Sequence, residues 1–124
     1  MVSQYDLEKA RHDKIVKKRH KILVWTYRDD RVFINTEESK TKGIEGHYPD
    51  IVVMDIRKDK PFVIEEIETE GTVNEESAEK KWIPYSNLNA MQFRVYVPKG
   101  FKEYAEGIAE IKGIKDKVII KEYQ

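Results

Sequence analysis

A chain of 124 residues is long enough for one domain with its own core, and the lack of cysteine excludes disulfides, thiolate zinc sites and cysteine nucleophiles. The 23 basic and 23 acidic residues cancel, which excludes a global attraction to nucleic acid. No apolar run approaches the roughly 20 residues of a membrane span, and the N-terminus has no secretory signal, so we expect one cytoplasmic domain over residues 1–124.

The first third of the chain is expected to contain one helix and two strands. Ser3 can cap a helix that runs to about Arg19. The segment 21–27 is rich in branched and aromatic residues, which predicts a strand. After it we expect, in order, a turn at 28–31, a short strand at 32–34 and a polar loop over 37–46.

A β-hairpin is predicted in the middle of the chain, with strands at 50–57 and 62–69 joined by a turn at 58–61. Its first strand begins with Asp50, and its second ends with Glu66 and Glu68. In an antiparallel hairpin the start of the first strand lies beside the end of the second, so the three acids are expected to meet.

The remaining residues predict two helices that alternate with two strands. Thr72 or Asn74 can cap the first of these helices, which should turn one face, with Ala78, Trp82 and Tyr85, to the core. The rest are a kink or end near Pro84, a strand at 91–97, a helix from about 101 to Gly113 and a last strand at 118–120.

Strand periodicity gives a separate reason to expect a cation at the acids. Phe62, Ile64, Glu66 and Glu68 alternate along the second hairpin strand, so they should share one face that turns from apolar to acidic. Partly desolvated carboxylates repel one another unless a cation neutralises them. The alternative is that the strand leaves the core at Ile64 and that its acidic end is simply solvated.

The order α-β-(β)-β-β-α-β-α-β, with Pro49-Asp50 and Glu66-Ile67-Glu68, resembles the PD-(D/E)xK nuclease superfamily of restriction-endonuclease-like proteins. The resemblance covers the chain from the first helix to about Pro98. It implies an α/β fold with an αβββαβ core, a mixed sheet flanked by helices, and here an additional C-terminal helix and strand. The high density of Lys and Glu is also typical of thermophile proteins.

The resemblance also implies a metal site. Asp50 and Glu66, with the Ile67 carbonyl, would bind Mg²⁺ or Mn²⁺. Glu68 stands where the superfamily has its lysine, and it would bind a second ion or pair with a replacement lysine. In some members that lysine migrates to the following helix, where the helical wheel favours Lys81 over Lys80.

The first helix could contribute accessory groups. Glu8 is a possible further ligand and His12 a possible general base, although an exposed pair between these two side chains is the simpler expectation. A basic cluster could bind nucleic-acid phosphates, or it could be a solvated helix face: Lys14, Lys17, Lys18 and Arg19. The larger aromatic residues are expected in the core rather than stacked on bases: Trp25, Tyr27, Trp82 and Tyr96.

The sequence therefore favours a metal-dependent nuclease that cleaves DNA. The alternative is a degenerate domain of the same fold that has lost catalysis and binds nucleic acid or supports assembly. A homodimer is compatible with either interpretation.

Overall fold

The computed structural model describes residues 3–123, which form a five-stranded sheet with helices on both faces. The helices are α1 (Gln4–Tyr27), α2 (Glu75–Ser77), α3 (Ile83–Ser86) and α4 (Lys102–Ile111). The strands are β1 (Val32–Ile34), β2 (Ile51–Asp55), β3 (Lys60–Ile67), β4 (Gln92–Pro98) and β5 (Ile119–Tyr123). Short 3₁₀ turns lie at Asp29–Arg31 and Lys115–Lys117.

The sheet is mixed, and its strands are ordered β1-β2-β3-β4-β5. The pairs β1–β2 and β2–β3 are antiparallel, whereas β3–β4 and β4–β5 are parallel. Parallel neighbours need a crossover connection, and the segments 75–86 and 102–111 supply the helices for the two crossovers. The predicted α/β class, the hairpin and the order of elements after residue 28 are confirmed.

Helix α1 is longer than predicted, and the strand expected at 21–27 is wrong. Ser3 caps the helix as expected, accepting a hydrogen bond from the Asp6 amide at 3.1 Å. The segment 21–27 remains helical because Leu23 and Tyr27 continue the helical spacing set by Val16, and all three pack against the sheet. Tertiary burial thus overrides the local β-propensity. Within residues 3–123 no helix is both long and apolar enough to cross a membrane.

Two apolar clusters lie on opposite faces of the sheet. Under α1, Ile15, Val16 and Leu23 contact sheet residues that include Val63 and Ile67. The other cluster lies between the sheet and the remaining helices, and its members include Ile64, Trp82, Val95, Ala105 and Ile108. Since β3 is covered on both sides, any charge on its C-terminal half is taken out of water.

The prediction that Phe62 shares a face with Ile64 is wrong. The pairing of β2 with β3 is irregular between Val53 and Met54, so that Val53 lies opposite Val63 and Met54 opposite Pro61. This irregularity places Phe62 with the α1 cluster, where its ring meets Tyr27 edge-on at 5.7 Å. The alternation from Ile64 to Glu66 is unaffected.

The helical segment after β3 contains a π-helical turn, Ala78–Trp82, between α2 and α3. Asn74 caps the N-terminus of this segment, at the start of α2, and accepts a hydrogen bond from the Ser77 amide at 2.8 Å. The wider turn is visible in the bond from the Ile83 amide to the Ala78 carbonyl, just before Pro84, which has no amide hydrogen. Ala78, Trp82 and Tyr85 face the core as predicted.

Candidate functional site

Asp50 and Glu66 lie side by side where β2 begins and β3 ends. Ile51 of β2 pairs with Glu65 of β3 in antiparallel orientation. Asp50, which precedes Ile51, therefore lies beside Glu66, which follows Glu65. The Asp50 amide donates to Glu66 Oε1 at 3.1 Å, and the Ile67 amide donates to Asp50 Oδ2 at 2.8 Å. Both acids are buried, with 9% of Asp50 and 2% of Glu66 exposed. The expected meeting of the two strand ends is confirmed.

Glu68 follows one step beyond the end of β3 and is 1% exposed. Its Oε2 accepts a hydrogen bond from the Trp82 indole at 2.6 Å. Burial raises the pKa of Glu68 to about 6, although the Lys81 charge and the Trp82 hydrogen bond oppose the shift. Burial also raises the pKa of Glu66, and the charges of Asp50 and Glu68 raise it further. The acidic end of β3 is therefore not solvated.

Lys81 supplies a positive charge beside these acids. Its Nζ lies 3.3 Å from Glu66 Oε2, and the Glu66 charge raises the pKa of Lys81 despite the opposing effect of burial. Lys80 points away and pairs with Glu76 on the surface, where both side chains are 70% exposed. The π-helical turn thus presents Lys81 and Trp82, which are consecutive residues, to neighbouring acids of the same strand end.

His12 reaches the same strand end from α1. Its Nε2 lies 3.0 Å from Asp50 Oδ2, and its Nδ1 lies 3.0 Å from Asp13 Oδ1. Burial by itself would lower the pKa of His12, but the hydrogen bond and charge of Asp50 raise it to about 9. At neutral pH His12 is therefore a cation that supports Asp50. Both imidazole nitrogens face carboxylates, which favours a positioning role, and the general-base role stays an untested prediction.

The raised pKa of His12 predicts a pH-dependent stability. Protonated His12 stabilises the fold fully below its unfolded pKa near 6.5, and this contribution of up to about 3 kcal/mol is lost as the pH rises through about 9. We expect the urea midpoint of the wild type to fall between pH 7 and 9.5 by more than that of His12→Gln. Proton NMR titration of the histidines measures the pKa directly, and a value below 7 for His12 would contradict the arrangement.

Glu8 has a different environment from the expected surface pair with His12. Its Oε1 accepts a hydrogen bond from the Gly71 amide at 3.0 Å and lies 3.5 Å from the Thr69 hydroxyl. A β-carbon on Gly71 would lie 2.5 Å from the same oxygen, so a side chain at this position would displace the Glu8 carboxylate. Glu8 therefore fixes the turn that follows Glu68.

An open cleft of about 250 Å³ lies over this group. Glu8, His12, Ile67, Glu68 and Lys81 contribute to its walls, together with Tyr5, Lys9, Asp13, Thr36, Glu37, Thr69 and Thr72. Asp50 and Glu66 do not line the cleft, but they contact its wall residues His12 and Lys81, respectively. At this strand end the cleft gives a solute access to Glu68 and to the two cations, His12 and Lys81.

The chemistry of these donors suits a hard divalent cation, but they are not prearranged as a cage. Asp50 and Glu66 offer carboxylate oxygens, and Mg²⁺ is commonly held by one or two carboxylates with several waters. Among residues 3–123 no three Asp, Glu or His side chains converge as a metal-binding group. The acids Asp50, Glu66 and Glu68 instead face two cations, His12 and Lys81, which leaves one negative charge uncompensated when all are ionised.

Two neighbours of the site were not identified from the sequence. Tyr85 is 8% exposed, and burial together with the nearby Glu66 charge raises the pKa of its hydroxyl. The His47 ring packs edge-on against Tyr85, with 5.6 Å between the ring centres. The aromatic spacing marked Tyr85 as a core residue, but nothing in the local sequence indicated its closeness to the acids.

The structure separates Arg19 from the three lysines of the predicted phosphate-binding cluster. Arg19 is not available for phosphate, because its Nε and Nη2 each bond to Glu65 at 2.9 Å and its guanidinium lies 4.3 Å from the centre of the Tyr96 ring. Lys14, Lys17 and Lys18 are exposed. Trp25, expected in the core, is 92% exposed.

Comparison with known proteins gives no family assignment. No family model, curated protein or solved structure matches the chain.

Proposed function

We propose that this protein is a metal-dependent nuclease of the restriction-endonuclease-like type that hydrolyses phosphodiester bonds in DNA. The observation that carries the proposal is the adjacency of buried Asp50 and Glu66, next to an accessible cleft whose walls include Glu68 and Lys81. Burying mutually repelling carboxylates costs stability, and such clusters are found preferentially at functional sites.

The proposed roles follow from the chemistry of each group. Asp50, Glu66 and the Ile67 carbonyl would hold Mg²⁺ or Mn²⁺, which polarises a phosphate and lowers the pKa of bound water. Lys81 lies on the cleft wall, with its side chain 43% exposed, and would approach the negatively charged phosphate. Glu68, bound to the Trp82 indole, would hold the helix that carries Lys81 in place.

His12 and Glu8 are assigned positioning roles. His12 donates to Asp50 and so limits the directions in which that carboxylate can turn. Glu8 holds the turn at Gly71 and thereby shapes the cleft wall. Neither residue needs to touch the reacting bond for the site to work.

One specific observation favours the alternative, a degenerate domain that binds nucleic acid or supports assembly. Glu66 is already shared between the Asp50 amide and the Lys81 ammonium, and His12 occupies Asp50. This internal compensation allows the site to be a purely structural ion-pair network. Activity and metal binding distinguish the two functions.

The test of the proposed function is incubation of plasmid, single-stranded and branched DNA with the protein and Mn²⁺. We expect cleavage of at least one substrate, abolished by EDTA and by Asp50→Asn, which retains an acceptor for the Ile67 amide. Asp116→Asn changes an exposed acid on the 3₁₀ turn before β5 and should cleave as the wild type does. DNA binding without cleavage of any substrate would support the degenerate domain instead.

A further inference from the structure

The solvent-facing side of α1 carries a row of lysines that ends in a tryptophan. Lys14, Lys18, Lys21 and Trp25 follow one another at spacings of four, three and four residues, which places them on one side of the helix. All four are exposed, whereas Leu23, on the opposite side, is buried against the sheet. We refer to these four residues as the α1 stripe.

The charge of the stripe is not balanced by acids along the same part of α1. Although the whole chain is neutral, no acidic residue occurs between Lys14 and Arg28. Some other lysines do pair with acids, as Lys80 does with Glu76 and Lys112 with Glu79. None of the three stripe lysines forms an ion pair with another residue between 3 and 123. A concentrated positive charge of this kind fits a polyanion.

Trp25 adds a second, independent feature. Its side chain is 92% exposed, while the chain's other tryptophan, Trp82, is fully buried. Trp25 lines a surface groove of about 390 Å³ with His20, Lys21, Val24 and Asp29. An exposed, flat ring next to a lysine is the combination that binds an unpaired base and its phosphate together.

We propose that the α1 stripe binds single-stranded nucleic acid, with phosphates along Lys14, Lys18 and Lys21 and a base stacked on Trp25. From Lys14 to Trp25 the helix rises about 16 Å, which is long enough for several phosphates. An unpaired strand is specified because a base within a duplex cannot offer its face to the ring. The inference rests on the proposed function only for the choice of nucleic acid as the partner. It adds that the bound part of the substrate is single-stranded.

Two other occupants fit the stripe less well. A helix that binds a membrane surface needs a continuous apolar face. The apolar face of α1 is already covered by the sheet. On the exposed side, the apolar neighbour of Trp25 is Ile22, which does not make a continuous face. A second copy of the chain would bring like lysine rows together across a twofold axis, which is repulsive.

The stripe lies away from the candidate site, although the same helix connects them. His12 and Lys14 are two residues apart but project to different sides of α1, with His12 at Asp50 and Lys14 exposed. The stripe would therefore hold a flanking strand and not the reacting phosphate. Binding at the stripe is consequently separable from cleavage.

The test is fluorescence titration with oligothymidylate of about 12 nucleotides in EDTA, using the Asp50→Asn protein so that no cleavage occurs. Because Trp82 is 0% exposed, quenching reports on Trp25. We expect Trp25→Ala to weaken binding roughly tenfold. Fluorescence anisotropy of a labelled oligonucleotide measures the affinity of this variant, which lacks the reporting ring. Lys18→Gln should reduce the slope of log K against log salt by about 0.7.

Matched controls lie on the opposite face of the molecule. Tyr104→Ala removes a 56% exposed aromatic ring from α4, and Lys115→Gln removes an exposed lysine; neither should change binding. Equal affinity for a hairpin duplex, or unchanged binding by Trp25→Ala, would overturn the inference. A change in Trp25 fluorescence with phosphatidylserine vesicles, but none with the oligonucleotide, would also overturn it. Failure of metal-dependent cleavage with stripe binding intact would count only against the proposed nuclease.

Discussion

Replacing Lys81 with methionine is expected to reduce Mn²⁺-dependent DNA cleavage by about 10²–10³-fold, the typical effect of removing one group that stabilises charge in a transition state. Lys81 is one of the cations on the cleft wall, and its Nζ lies 3.3 Å from Glu66 Oε2. Because the loss concerns charge that develops during reaction, we expect it in kcat and not in KM. Initial-rate measurements on the preferred DNA substrate separate the two parameters.

The neighbouring lysine provides a matched control. Lys80→Met removes the same side chain one position earlier, from a surface pair with Glu76 in which both residues are 70% exposed, and should leave cleavage unchanged. Lys81→Arg keeps the charge and should recover part of the rate. A loss under about tenfold in Lys81→Met would show that this residue does not stabilise the charge that develops in the proposed reaction.

Replacing Arg19 with methionine is expected to destabilise the fold by roughly 3 kcal/mol, the effect of removing one partner from a buried ion pair. Glu65 is completely buried, and its carboxylate accepts two hydrogen bonds from Arg19 at 2.9 Å and one from Arg94 at 3.1 Å. Without Arg19 a buried charge retains only the Arg94 bond. The expected fall in melting temperature is about 10 °C.

Urea denaturation measures this effect against two controls. Lys18→Met changes the adjacent exposed side chain and should alter stability by less than about 0.5 kcal/mol. The double variant Arg19→Met/Glu65→Met removes both charges and should recover part of the loss, since an apolar pair can replace a buried ion pair. A loss under about 1 kcal/mol in Arg19→Met would mean that the network contributes little.

Much of the architecture could be predicted because local patterns and tertiary packing agree there. The hairpin turn, predicted at 58–61 and observed at 56–59, fixes an antiparallel pair, and this pairing brought Asp50 to Glu66 without knowledge of the rest of the fold. The helical wheel likewise oriented Lys81 inward and Lys80 outward. These inferences need only the periods of a strand and a helix.

The errors arise where distant contacts decide the outcome. Local propensity favoured a strand at 21–27, but docking of Leu23 and Tyr27 on the sheet extends the helix. An irregular strand pairing moved Phe62 to the other face. In the sequence, Arg19 belongs to a run of basic residues that resembles an exposed helix face. Only the position of Glu65 on the α1 side of β3 shows that Arg19 forms an ion pair.

The metal site is the central claim, and thermal unfolding with increasing Mn²⁺ tests it most directly. A ligand at a hundred times its dissociation constant stabilises a fold by about 2.7 kcal/mol, so the melting temperature should rise by about 10 °C. This gain should disappear in Asp50→Asn and persist in Asp116→Asn. No rise at millimolar Mn²⁺, or an equal rise in Asp50→Asn, would contradict metal binding at Asp50 and Glu66.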